Sequence, residues 1–215
     1  MKDKQLIGIM GGTFDPPHLG HLLSAESAAS QLGLSKVLFL PNGKTVYKQR
    51  ENTASPKQRF EMTRLAISDN DLFEISDIET RSSQITYTFD TLEKLHTIYK
   101  NAHFFFIVGA DSLDYMDKWK NPKRIFDLCT VAAVGRAGFS QERLNKKAQA
   151  LKEKFDADIV FVTMPNIEIS SSDLKNRIKN GNSVRYMLSD LTLRYIKDNG
   201  LYIENSGENS DDGRK

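Results

Sequence analysis

Six apolar runs of strand length recur along the chain: LIGIM (6–10), VLFL (37–40), LFEIS (72–76), HFFFIV (103–108), TVAAV (130–134) and IVFV (159–162). They are continuous rather than alternating, which predicts strands of a parallel sheet covered on both faces. Helical patterns fill the intervals. Leu19 to Leu32 reads as a helix stopped by Gly33, and Pro56 starts another that leads into FEMTRLAI. Phe89 to Tyr99, a short piece from Asp111 to Asp117, Gln141 to Phe155, and Ser172 to Asn180 before Gly181 follow, and Asp190 to Asp198 closes the series before Asn199-Gly200. Strand and helix in alternation are the pattern of right-handed βαβ units. The expected class is α/β, a doubly wound parallel sheet of about six strands with helices on both faces and a small C-terminal helical portion.

At 215 residues the chain is sized for one domain, taken here as 1–204, with 205–215 read as a disordered tail of Gly, Ser and acid. Hydrophobic residues at 39% and charged residues at 27% suit a chain that buries a core. There are 30 basic and 28 acidic residues, and Glu204 with the tail's three acids, set against its two bases, leaves the rest of the chain at +4. That surplus is compatible with a polyphosphate ligand and too small to argue for nucleic acid. The single cysteine, Cys129, lies in the apolar LCTVAAV and excludes a disulfide framework; a buried small hydrophobe is expected there. No stretch approaches the ~20 apolar residues of a membrane span, and MKDKQLIGIM lacks the apolar core of a signal peptide, so no membrane partner and a cytoplasmic location are expected. The polar stretch from Pro41 to Ser55, with Lys44, Lys48 and Arg50, reads as a mobile loop of the kind that handles ligands.

The first predicted strand runs straight into Gly11-Gly12-Thr13-Phe14-Asp15-Pro16-Pro17-His18-Leu19-Gly20-His21. Two glycines let the chain turn sharply and bring backbone N–H groups close to an anion, and a helix N-terminus adds unpaired donors and partial positive charge. His18 and His21 are three apart, so a first helical turn containing both puts their imidazoles on one face, which Gly20 keeps open. A zinc site would need a third ligand, and the other histidines, His96 and His103, fall on a helix and at a strand start.

GGTFDPPHLGH resembles the (H/T)xGH signature of the nucleotidyltransferase superfamily, and in this long form it is similar to the nicotinate-nucleotide adenylyltransferases. ITYTFDTL (85–92), VGADSLDYMDKW (108–119), VGRAGF (134–139) and ISSSDLKNRI (169–178) resemble that family's later blocks, in order. The resemblance implies a Rossmann-like fold and transfer of the adenylyl group of ATP to nicotinate mononucleotide, giving deamido-NAD and pyrophosphate. It implies that Gly11, Gly12, Thr13 and Phe14 line the nucleotide phosphates, that His18 and His21 bind the α- and β-phosphates as charge builds, and that Lys48 is a further phosphate contact. Gly109 and Asp111 would meet the ATP ribose at the sheet mouth, and Ile169, Ser170, Ser171, Ser172 and Lys175 the nucleotide. Thr88, Tyr115, Trp119 and Arg136 would bind the mononucleotide: Thr88 its carboxyl, Tyr115 and Trp119 an aromatic wall against the pyridine, Arg136 its phosphate. Mg²⁺ is expected with ATP, held by phosphates and water, with no protein metal cage.

The chain departs from the family pattern at Lys175, where arginine is usual; lysine keeps the charge and loses the bidentate fork, unless Arg177 reaches in instead. It also has Thr45-Val46-Tyr47-Lys48 for a PPHK-like segment, and alanine after Arg136 for proline. Bland roles compete throughout: N-capping by Asp111 and the serines, core packing by Tyr115 and Trp119, a strand-end threonine at 88, a solvated Arg136. Gly43-Lys44-Thr45 is no P-loop, since Leu38 stands where its first glycine belongs, and there is no G-x-G-x-x-G. The competing functions are an adenylyltransferase preferring nicotinamide mononucleotide or phosphopantetheine, and a nucleotide-binding sensor without turnover. Oligomeric state, including a homo-oligomer, is left open by the sequence.

Overall fold

The computed structural model describes residues 4–43, 53–82, 84–136 and 141–203, the side chains of Arg136 and Gln141 aside. Lys48 and the tail therefore lie outside the described residues. Six strands form one sheet: β1 (Gln5–Gly12), β2 (Lys36–Pro41), β3 (Phe73–Ile75), β4 (Ala102–Gly109), β5 (Thr130–Arg136) and β6 (Ile159–Met164). Their order is β3-β2-β1-β4-β5-β6 and every pairing is parallel, the Rossmann-like arrangement expected.

The helices are α1 (Leu19–Leu32), α2 (Pro56–Ala66), α3 (Thr88–Ile98), α4 (Pro122–Leu128), α5 (Gln141–Phe155), α6 (Ser171–Lys179) and α7 (Asp190–Asp198). Alternate strand residues feed two cores. Ile7, Ile9, Leu38, Leu40, Val131 and Ala133 pack with Leu92 and Leu95 of α3, Ile125 and Phe126 of α4 and Leu151 of α5. Val37, Phe39, Ala132 and Val134 face Ala25, Ala28 and Ala29 of α1 and Ala66 of α2. A third cluster, with Met62, Leu174, Leu188, Ile196 and Tyr202, joins α2 to α6 and α7 and forms the C-terminal helical portion.

Three local expectations change. The α4 helix is absent from the sequence reading: its Asn121-Pro122 start looks like a turn, but Asn121 takes a left-handed φ of 51° and Pro122 begins the helix. The segment at 111–117 is not one α-helix but two 3-10 turns, Ala110–Asp114 and Met116–Lys118, broken at Tyr115. Burial on both faces fails at the edge strand β6, where Phe161 is 37% exposed while Val162 is buried. Cys129 is buried as expected, its thiol donating to the Ile125 carbonyl, and burial pushes its pKa up to about 12.

Phe104, 1% exposed on β4, and Phe161 at the sheet edge make a paired test of this core. Phe104→Ala should cost about 3–5 kcal/mol in urea unfolding, and Phe161→Ala under about 1.5 kcal/mol.

Candidate active site

The strand order reverses between β1 and β4, so connections leave in opposite directions and open a crevice beyond the carboxyl ends of these neighbours. Gly11 and Gly12 end β1, and Gly109 ends β4. Two cavities, of about 460 and about 580 Å³, lie in this crevice and share Gly11, Phe106 and Trp119 in their walls.

The smaller cavity is lined by His18, Gly20, His21, Ser24, Gly109, Asp111 and Ile169, among others. His18 is the N-cap of α1 with extended backbone (φ −147°, ψ 169°), so the two histidines do not share a helical turn as expected. Capping brings them together instead: the His18 backbone N–H donates to His21 Nδ1 at 3.2 Å, and the rings stack with centroids 3.7 Å apart. Because Nδ1 accepts, the proton of a neutral His21 sits on Nε2. Burial, and secondarily the neighbouring His18, lowers the His21 pKa to about 3, so the ring is neutral at physiological pH. Gly20 lies close to the ring: a Cβ there would sit 3.0 Å from His18 Nδ1 and 3.1 Å from its Cε1, so the ring would have to give way by a few tenths of an ångström. Similarly, a Cβ on Gly109 would meet Asp111 Oδ1 at 2.5 Å. Asp111 itself sits inside the first 3-10 turn, whose cap is Gly109, so it is not an N-cap.

The larger cavity is lined by Gly12, Asn42, Glu79, Thr86, Thr88, Tyr115, Lys118, Trp119 and Lys120, with apolar Ile9, Leu40 and Phe106. Thr88 is the first residue of α3, not a strand end, and no side chain caps that helix. Tyr115 and Trp119 both reach this cavity although no α-helix carries them; Trp119 stands edge-on to Phe106 at 6.1 Å. Glu79 accepts hydrogen bonds from Thr91 (2.8 Å) and Thr86 (3.3 Å), and burial raises its pKa.

The remaining expected residues divide. Thr13 and Phe14 line neither cavity, and Phe14 is buried against His21 at 5.0 Å. Ser170 caps α6 by accepting from the Asp173 N–H, Ser171 donates to the Pro16 carbonyl, and Ser172 is exposed; none of the three lines either of these two cavities. Lys175 is ion-paired with Asp15 at 2.8 Å, and Arg177 is held by Asp173 on its own helix. Arg136 ends β5, and its side chain lies outside the described atoms. His96 and His103 are hydrogen-bonded to the Leu128 carbonyl and the Thr130 hydroxyl, respectively.

Sequence reading missed Arg59, Asp15, Asn42, Glu79 and Tyr202. Arg59 had a signal: it lies three and four residues before Met62 and Thr63, on the buried face of α2.

Residues 9–177 match the model of the cytidylyltransferase-like family. A chain of Lachnoclostridium phytofermentans named "probable nicotinate-nucleotide adenylyltransferase" is 39% identical over 92% of this chain and 98% of its own length. One of the same name from Clostridium botulinum is 38% identical, with 92% and 98% covered. This chain belongs to the nicotinate-nucleotide adenylyltransferases. The fold agrees: a nicotinic acid mononucleotide adenylyltransferase of Plasmodium falciparum, solved in complex with APC, superposes with a TM-score of 0.72 at 20% identity, covering 92% of this chain and 97% of that one.

Two outcomes follow for this adenylyltransferase-family site. Gly20→Ala should lower turnover about tenfold or more by displacing the His18 ring, while the helix-favouring alanine leaves the melting temperature unchanged or higher. The depressed His21 pKa stabilises the fold fully above about pH 6.5, and this contribution fades as pH falls towards about 3, because only the unfolded chain takes up the proton. The stability–pH slope should reach about 1.4 kcal/mol per pH unit and flatten in His21→Gln, read by urea unfolding between those limits.

Proposed function

We propose that the chain transfers the adenylyl group of ATP to nicotinate mononucleotide, forming deamido-NAD and pyrophosphate in NAD synthesis. One observation carries this reading: two adjoining cavities at the strand switch, one walled by the histidine pair and the other by Thr88, Tyr115 and Trp119. A dinucleotide-forming reaction needs two nucleotide sites whose phosphates meet, and the shared wall of Gly11, Phe106 and Trp119 is where they would.

In this reading ATP takes the smaller cavity, with Gly11 of the shared wall at its phosphates and Gly12 next to it on the side of the larger cavity, Asp111 at its ribose, and His18 and His21 as donors to the α- and β-phosphates. The mononucleotide takes the larger cavity, with its carboxyl at the start of α3 beside Thr88 and its ring against Tyr115 and Trp119. The mononucleotide phosphate, with a second pKa near 6, is largely dianionic at neutral pH and needs no general base. It attacks the α-phosphorus in line, and the bond to the pyrophosphate leaving group breaks. Negative charge spreads over nonbridging oxygens, where the preplaced Nε2–H of His21 stabilises it more than the ground state. Catalysis is positioning and charge neutralisation. Among the described residues Asp111 is the one carboxylate lining the ATP cavity, a donor set that fits Mg²⁺ carried chiefly by phosphates and water. Lys48 and Arg136 would add phosphate contacts, and Lys175 would do so only by leaving Asp15. ATP and nicotinate mononucleotide are the proposed partners and the cytoplasm the proposed location; no described helix is long and apolar enough to cross a membrane.

Purified protein should release pyrophosphate from ATP only when a pyridine mononucleotide is added, faster with nicotinate than with nicotinamide mononucleotide. Tight ATP binding without pyrophosphate release would support a sensor and end this reading. His18→Ala or His21→Ala should lower kcat by about two orders of magnitude or more, roughly 3 kcal/mol, with the fold retained by circular dichroism.

A further inference from the structure

Phe14 has a backbone φ of 49°, in the left-handed region that a bulky aromatic side chain disfavours. From that conformation its buried ring presents an edge to His21, with centroids 5.0 Å apart at 74°, and its other side packs on Phe39 at 5.8 Å. A strained conformation persists only where its surroundings over-determine it. Both neighbours of Phe14 are tied down by buried charges.

On one side, Arg59 Nη1 donates to the Thr13 carbonyl at 2.7 Å and to Asn42 Oδ1 at 2.9 Å. Asn42 Nδ2 donates in turn to Thr13 Oγ1. The rest of the guanidinium fan reaches the carbonyls of Asn42 (2.7 Å), Gly43 (3.1 Å) and Ala54 (3.2 Å). On the other side, Asp15 Oδ1 accepts from the Ala54 N–H at 3.0 Å and from the Tyr202 hydroxyl at 2.7 Å, and Oδ2 pairs with Lys175. Arg59 is 3% exposed and Asp15 4%, and Arg59 lines neither cavity.

We propose that Arg59 is a positioning residue for adenylyl transfer: together with Asp15 it locks the Phe14 turn so that the phenyl ring braces His21 in register with the α-phosphate. The role rests on the function proposed above, and it is exerted through His21 rather than on either substrate. A planar fork with five donors can serve Thr13, Asn42, Gly43 and Ala54 at once; an ammonium, with three donors around one nitrogen, cannot. Released from the brace, His21 would shift relative to the phosphates, and small misplacements of a reacting-site donor are expensive in rate.

The test uses Arg59→Lys, which keeps the charge and loses the fan, and Tyr202→Phe, which removes one bond to Asp15. Two quantities are read on the folded full chain: kcat and KM for ATP and nicotinate mononucleotide, and the pH titration of the His21 ring proton by NMR without substrate. Among the described residues, His18, stacked on His21, and Asp111, in the same cavity, are the titratable groups around that ring, and both are unchanged in the variants. In the wild type the His21 signal should stay flat from about pH 7.5 to about pH 4.5. Arg59→Lys should lower kcat about tenfold or more and Tyr202→Phe about threefold, with both KM values within about threefold, and the His21 signal should begin to titrate above about pH 5. A merely structural role would lower the melting temperature and leave kcat per folded molecule and the His21 titration as in the wild type; that result overturns the proposal. Should Arg59→Lys fail to fold, Tyr202→Phe decides by the same two readings. The NMR titration needs no turnover, so failure of the assigned reaction and failure of the brace are separately visible.

Discussion

A parallel sheet that adds strands first to one side of β1 and then to the other must leave the carboxyl ends of β1 and β4 uncovered by any crossover. Both cavities of the candidate site gather at that gap. β1 ends in Gly11-Gly12, β4 ends in Gly109, and both cavities open between the loops that follow. Under the proposed reaction the shared wall would also set its geometry, because two ligands seated in cavities with a common boundary can meet only along it. Phe106, on β4 itself, and Trp119, edge-on against it, form the rigid part of that boundary.

Electrostatics at the gap are arranged by burial more than by net charge. His21 is kept neutral by desolvation, so it offers a hydrogen-bond donor whose tautomer is set by the His18 backbone rather than a cation that would also grip the ground state. Full positive charge is placed one layer below, on Arg59, where it binds backbone carbonyls and is answered by Asp15. Leaving either charge buried without the other would be costly, which is why both have several partners. The C-terminal portion takes part through Tyr202, through Ser171 on the Pro16 carbonyl, and through the Met187 carbonyl, which accepts the Leu19 N–H. It is a support for the histidine turn as well as a cover for α2.

Strands β1, β2, β4 and β5 were legible because central strands of a covered parallel sheet must be apolar on both faces, and LIGIM, VLFL, HFFFIV and TVAAV are. The histidine pair was legible from spacing, but for a different reason than the helical period: His18 caps α1 and His21 bonds back to it. The same period misled at Tyr115 and Trp119, where two 3-10 turns replace the helix and tertiary packing alone brings both rings to one cavity. Asp15 and Arg59 were illegible as a pair because their connection runs through Ala54, 39 residues from Asp15, and through Tyr202, 187 residues away. No local pattern encodes contacts at such separations. The charge on the buried face of α2 was the one visible trace.

Lys175 shows how a single substitution couples support to chemistry. Family resemblance places an arginine at this position; in this chain a lysine sits there, with its ammonium 2.8 Å from Asp15 Oδ2 and 5.8 Å from the centre of the Tyr202 ring. An arginine could anchor Asp15 with one edge of its fork and keep other N–H groups for a phosphate, because its donors point in fixed, divergent directions. A lysine concentrates its charge on one atom, so binding Asp15 and binding a phosphate compete. With Asp15 already holding Ala54 and Tyr202, loss of the ammonium would leave Arg59 as the buried carboxylate's nearby countercharge. The favoured place for Lys175 is therefore the foundation of the turn, and under the proposed reaction phosphate binding would fall more heavily on the histidine pair.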